Sequence, residues 1–166
     1  TEDAQTAATD RFKKDDHAQT LLAHTTKLSE IDADGFDAVF YPGGHGPLWD
    51  LSEDADSIAL IETVTAAGTP LGAVCHAPAV FKNTKGTDGK PLVAGRTVTG
   101  FTNTEEEGAG LTAVVPFLVE DMLIANGAKY EKGDDWASFV VTDGKIVTGQ
   151  NPASSEEAAK RLLTLI

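Results

Sequence analysis

Apolar residues in this chain fall into short unbroken runs separated by stretches of helical spacing, an alternation that predicts strands feeding helices. Phe36-Asp-Ala-Val-Phe-Tyr41 is a β-rich run that stops at Pro42-Gly43-Gly44-His45-Gly46-Pro47, where glycines permit backbone angles that other residues resist. Residues 54–67 carry Ile58, Leu60, Ile61 and Val64 at helical spacing and are halted by Gly68 and Pro70. A second apolar run, Pro70-Leu-Gly-Ala-Val-Cys75, leads directly into His76-Ala-Pro-Ala-Val-Phe81 and reads as a buried strand breaking into a helix. Strand, glycine loop, helix, strand, sharp bend and helix make a βαβ order. A crossover helix joins parallel strands, so the pattern predicts a doubly wound α/β domain with a mainly parallel sheet covered on both faces.

Beyond this unit the pattern continues in the same style. Residues 17–28 place Leu21, Leu22 and Leu28 near one side of a modest helix, with His17 and His24 facing solvent. Arg96-Thr-Val-Thr-Gly100 is a further strand feeding Phe101-Thr102-Asn103-Thr104-Glu105-Glu106-Glu107. Residues 116–126 begin with Pro116, a good first helical residue, and bury Leu118, Val119, Met122 and Leu123. Residues 139–148 form a hairpin turning at Asp143-Gly144. Residues 151–155 then cap a closing helix rich in leucine. The polar opening, residues 1–9, holds neither an initiator methionine nor a first strand.

At 166 residues the chain suits one domain spanning positions 1–166. A domain of that size buries roughly 70% of its unfolded surface. The formal charge of −13 repels phosphate backbones and anionic membranes, arguing against nucleic acid and membrane surfaces as partners. No apolar run approaches the roughly 20 residues of a membrane helix. One cysteine rules out an internal disulfide and any multi-cysteine zinc site, and fits a reducing, cytoplasmic compartment.

That cysteine is also the candidate nucleophile. Small Ala73 and Ala77 flank Cys75 at minus two and plus two, a relaxed form of the strand-turn-helix elbow of hydrolases. At such a junction the helix dipole favours the thiolate; a buried, inert cysteine is the competing reading. A thiol nucleophile needs a base, a group to orient that base, and N–H donors for the oxyanion. His76 is the nearest base. Thr102-x-x-Glu105 has capping-box spacing, which gives Glu105 a structural role, leaves Glu106 free to meet His76 and turns Glu107 to solvent. Backbone N–H groups of Gly44 and His76 are the natural oxyanion donors. Gly43, Gly44, His45 and Trp136 are the candidate oxyanion and substrate-binding residues. His45 either lines the pocket or hydrogen-bonds within its loop, and Trp136 and Trp49 either pack or form pocket walls.

Four motifs in order, Pro42-Gly-Gly-His-Gly-Pro-Leu-Trp-Asp50, Ala73-Val-Cys-His-Ala-Pro-Ala79, Thr99-Gly-Phe-Thr-Asn-Thr-Glu-Glu106 and Thr148-Gly-Gln-Asn-Pro-Ala-Ser154, resemble the PfpI-like superfamily of class I glutamine amidotransferase-like folds. Within it they are similar to the heat-shock chaperone-like branch that includes glutathione-independent glyoxalases. The resemblance implies a flavodoxin-like sandwich and a Cys75, His76, Glu106 triad. It also implies conversion of a small 2-oxoaldehyde such as methylglyoxal to D-lactate without a metal or organic cofactor, and a homodimer. A stress-protective holdase, or cysteine-dependent peptidase or deglycase chemistry on the same residues, is the alternative it allows. It further implies an N-terminal strand carrying a glutamate for the sulfur. That strand is missing ahead of Thr1, so the expectation is a fragment, or a separate segment that supplies strand and glutamate.

Overall fold

The computed structural model describes residues 5–166, so the first four residues of the polar opening lie outside the described residues. The chain divides into two compact units, the first ending at Ile31 and the second running Asp32–Ile166. In the first unit, α1 (Ala7–Lys13) and α2 (Asp16–Ala23) are started by Thr6 and Asp15, whose side-chain oxygens accept from the backbone N–H groups of Thr9 and Ala18. The pattern over 17–28 thus yields a shorter helix than expected, with Leu28 in a separate 3₁₀ turn, Leu28–Glu30. Neither α-helix buries a residue. Leu21 and Leu22 are exposed, as are His17 and His24.

The second unit carries six strands: β1 (Val39–Tyr41), β2 (Leu71–Val74), β3 (Thr97–Val98), β4 (Lys129–Tyr130), β5 (Val140–Asp143) and β6 (Ile146–Gly149). Its helices are α3 (Ala55–Ala66), α4 (Asn103–Gly108), α5 (Val119–Ala125) and α6 (Ser155–Leu163). Among the described residues the main sheet has the order β1-β2-β6-β5. β1, β2 and β6 run parallel and β5 antiparallel, while β3 and β4 form a separate parallel pair. The mainly parallel α/β architecture expected from the sequence is therefore present.

Burial explains the pattern. Every residue of β2 is buried, as a strand covered on both faces requires. Ile61 of α3 joins Leu71, Ala73, Phe81 and Ile146 in one apolar cluster. Val147, next in sequence to Ile146, faces the opposite way and packs with Ala158 and Leu162 of α6. Each fully buried side chain of this size contributes about 1.5–3 kcal/mol. Asp54 caps α3 by accepting from the Ser57 N–H at 2.7 Å, and Ser57 in turn meets the Tyr41 hydroxyl at 3.0 Å.

Several local expectations need correction. β1 begins at Val39, and Phe36 is exposed after the turn Ala33–Gly35. α5 starts three residues beyond Pro116, with Leu118 half-buried as its N-cap. The element after Cys75 is a buried 3₁₀ helix, Ala77–Phe81, too short to supply the α-helix dipole invoked for the sulfur. α1, which the sequence reading does not name, begins in the polar opening and runs beyond it to Lys13. The expected hairpin forms one residue later than Asp143-Gly144: Asp143 pairs with Ile146, and the turn residues are Gly144 and Lys145, with Gly144 at φ 59° in the first central position, as a type II′ turn demands.

Candidate active site

Parallel pairing sets the site. Tyr41 aligns with Ala73, and Val74 with Gly149, so the loops leaving β1, β2 and β6 emerge at one end of the sheet. Cys75 sits at that end with φ 65°, the left-handed region that a residue with a Cβ adopts only at a cost. Two backbone bonds over-determine it: the Cys75 N–H donates to Gly149 O at 2.9 Å, and Cys75 O accepts from the Phe101 N–H at 2.9 Å. Gly43 comes so close that a Cβ there would lie 2.7 Å from Cys75 Cβ and 3.4 Å from Sγ. Gly44, at φ 108°, turns the loop so that its amide hydrogen-bonds toward the sulfur, as does that of His76. The two amides expected for the oxyanion thus converge on the candidate nucleophile.

The bend also does what a regular helix cannot. His76 Nδ1 lies 3.2 Å from Cys75 Sγ although the residues are adjacent in sequence, and His76 Nε2 lies 2.6 Å from Glu106 Oε2. α4 places that carboxylate. Thr102 and Glu105 close a reciprocal capping box, which turns Glu105 inward and the next residue, Glu106, toward the imidazole, while Glu107 is exposed. His45 Nε2 reaches the other oxygen of Glu106 at 3.1 Å, and its ring lies over that of His76 with centroids 3.8 Å apart. Neither sequence reading of His45 named this contact. Phe101 packs against His76 with centroids 4.1 Å apart and meets Trp136 edge-on at 5.6 Å. Trp136, half-exposed, is itself at φ 63°; Trp49 is exposed and makes no ring contact with this stack.

Electrostatics differ from the sequence expectation. Cys75 is only 6% exposed and packs with Val74 and Phe101. This burial pushes its pKa up to about 11, outweighing the amides of Gly44 and His76 that lower it, with Glu105 and Glu106 raising it slightly further. Burial lowers the pKa of His76, against the opposing pull of its Glu106 partner. The resting pair is therefore a neutral thiol beside a neutral imidazole, and the expected resting thiolate is corrected. Such a thiol loses its proton to Nδ1 as it attacks.

The sequence reading missed the shell around Glu105. Its Oε1 accepts from the Trp136 N–H at 2.8 Å, Asn151 Nδ2 at 2.7 Å and Gln150 Nε2 at 3.2 Å, and Oε2 accepts from the Thr102 N–H at 3.1 Å. The signal was available: two amide side chains directly after a strand, at the end of the sheet where Cys75 lies.

Comparison with known proteins follows the same residues. The chain is 35% identical over 159 residues to the glutathione-independent glyoxalase HSP31 of Saccharomyces cerevisiae, covering 92% of this chain and 67% of that protein. It is 35% identical over 148 residues to glyoxalase 3 of Candida albicans, covering 86% and 63%. The chain thus spans about two thirds of the length of these curated relatives. Among solved structures, glyoxalase III from Candida albicans superposes with a TM-score of 0.92 at 30% identity, over 100% of this chain and 73% of that one. The Rapid Encystment Protein 24 KDa of Francisella tularensis gives 0.91 at 36% identity, over 98% and 72%. The pattern of one family runs from residue 5 to residue 165, through both glycine loop and elbow, and the chain belongs to the DJ-1/PfpI family.

Proposed function

We propose that this chain carries the reactive centre of a glutathione-independent glyoxalase, which converts methylglyoxal or a related 2-oxoaldehyde to D-lactate or the matching 2-hydroxy acid. One observation supports this most: the continuous line from Cys75 Sγ through His76 to Glu106, at 3.2 Å and 2.6 Å, beside two converging backbone amides. Relatives 35% identical bear the name glyoxalase.

In this reading Sγ adds to the aldehyde carbon while its proton passes to His76 Nδ1. Glu106 steadies the imidazolium, which returns the proton to the former aldehyde oxygen and completes the hemithioacetal. The Gly44 and His76 amides offset the charge that builds on oxygen during addition. Moving the proton of the first carbon to the neighbouring carbonyl carbon, while the hydroxyl proton passes from the first oxygen to the second, turns the hemithioacetal into a thioester. Water then cleaves the thioester, giving the hydroxy acid and the free thiol. His45 and Trp136 wall the substrate. The carbon-to-carbon transfer falls to a carboxylate on a strand that adds along the outer edge of β1, which is an edge strand among the described residues. We place the enzyme in the cytoplasm, as a homodimer built on one PfpI-like domain spanning residues 1–166.

The test is D-lactate formation from methylglyoxal by the protein that carries this chain, with and without glutathione. Turnover is expected to be independent of glutathione and to fall at least about 1,000-fold in Cys75→Ala. In Glu106→Gln it falls on the order of 100-fold. Equal turnover by wild type and Cys75→Ala would refute the proposal.

A further inference from the structure

We propose that His45, His76 and Glu106 form a site for a divalent transition-metal ion of the zinc class. His45 Nε2 and His76 Nε2 approach the two oxygens of one carboxylate at 3.1 Å and 2.6 Å, and the donor atoms of all three residues lie within 4.8 Å of one another. Two imidazoles and a carboxylate are a set that zinc binds at roughly 2.0–2.2 Å per ligand, with a fourth position left open. Tetrahedral ligands at that length stand roughly 3.4 Å apart, so the donors reach the geometry by movements on the order of 1 Å. The His45 side chain is 36% exposed against 2% for Glu106, so an ion arrives from the His45 side.

Cys75 is not one of the converging donors, because its sulfur lies 3.2 Å from the opposite ring nitrogen, Nδ1. The site therefore does not rest on the reading of Cys75 as a nucleophile.

Titrating the chelator-stripped full chain with zinc chloride by calorimetry tests the site. One ion per chain is expected, with affinity weakened at least about ten-fold in His45→Ala and in Glu106→Gln. Cys75→Ser and the double variant His17→Ala/His24→Ala keep the affinity within about three-fold. His45→Asn replaces His45→Ala if circular dichroism shows the latter unfolded. Full affinity in a folded His45 variant, or lost affinity in Cys75→Ser, overturns the site. Absence of D-lactate formation by the zinc-free protein counts against the glyoxalase reading alone, since binding is read without substrate.

Discussion

Replacing Cys75 by glycine should leave the protein more stable than replacing it by alanine, the reverse of the usual order. At φ 65° a residue with a Cβ carries about 1–2 kcal/mol of backbone strain, from which glycine is exempt. Both variants lose the same buried sulfur and its contacts with Val74 and Phe101. Glycine's greater freedom in the unfolded chain returns about 0.5–1 kcal/mol, so the net preference is roughly 0.5–1 kcal/mol for Cys75→Gly. For a chain of this length 1 kcal/mol moves Tm by about 2–4 °C, so scanning calorimetry should place Cys75→Gly about 1–4 °C above Cys75→Ala. Ala59→Gly, in the exposed middle of α3, is the matched control and should cost about 1 kcal/mol. If Cys75→Gly instead fell below Cys75→Ala by as much as Ala59→Gly falls below wild type, the bend would not be strained and the elbow argument would fail.

Three further outcomes follow from the site. In Glu105→Gln the amide oxygen can keep the three donors on one side only by turning its NH₂ to the Thr102 N–H, a donor against a donor; about 2 kcal/mol and a Tm lower by roughly 4–8 °C are expected, and an unchanged Tm would contradict the network. Because the folded Cys75 pKa of about 11 exceeds its ordinary value near 9, the unfolded chain ionises first as pH rises. The thiol's contribution is therefore full below pH 9 and lost between about 9 and 11, on the order of 2 kcal/mol; urea melts of Cys75→Ala should lack that part of the decline, and parallel curves for the two proteins would count against it. Gly43→Ala pushes a methyl within 2.7 Å of Cys75 Cβ, and should cost about 1–3 kcal/mol and at least about ten-fold in Cys75 alkylation rate; wild-type values for both would show that the loop yields freely.

The sheet was legible because its strands are covered on both faces. A run such as Leu71-Gly-Ala-Val74, buried at every position, has no reason to alternate, and its neighbours obey the crossover rule. The capping box at Thr102 was legible for a related reason: it is a local exchange of hydrogen bonds with fixed spacing, and it separates Glu105 from Glu106 without reference to the rest of the chain. Long-range partners were not legible. His45 meets Glu106 across 61 positions, and Asn151 meets Glu105 across 46, distances over which no periodicity carries information. Neither was the sign of the Cys75 shift. Sequence places a thiol at a bend, whereas desolvation depends on Val74 and Phe101 closing over it. The apolar spacing around Leu21 and Leu22 predicted a helix but not its exposure, since amphipathic pattern specifies a face and not what covers it.

Two adjacent glutamates on α4, a helix of six residues, join the wall of the site to its base. Successive helical residues point about 100° apart, so the turn that buries Glu105 among backbone and amide donors aims Glu106 at the two imidazoles. Glu105 holds the Trp136 amide, and Trp136 bears on Phe101, which in turn lies against His76. A shift of α4 therefore reaches His76 twice, through the carboxylate bonded to its Nε2 and through the ring packed on its face. Substitution at Glu105 should accordingly lower the alkylation rate of Cys75 even though Glu105 never touches the sulfur. Combining it with Phe101→Leu should give less than the sum of the two single losses, because both act on the same ring.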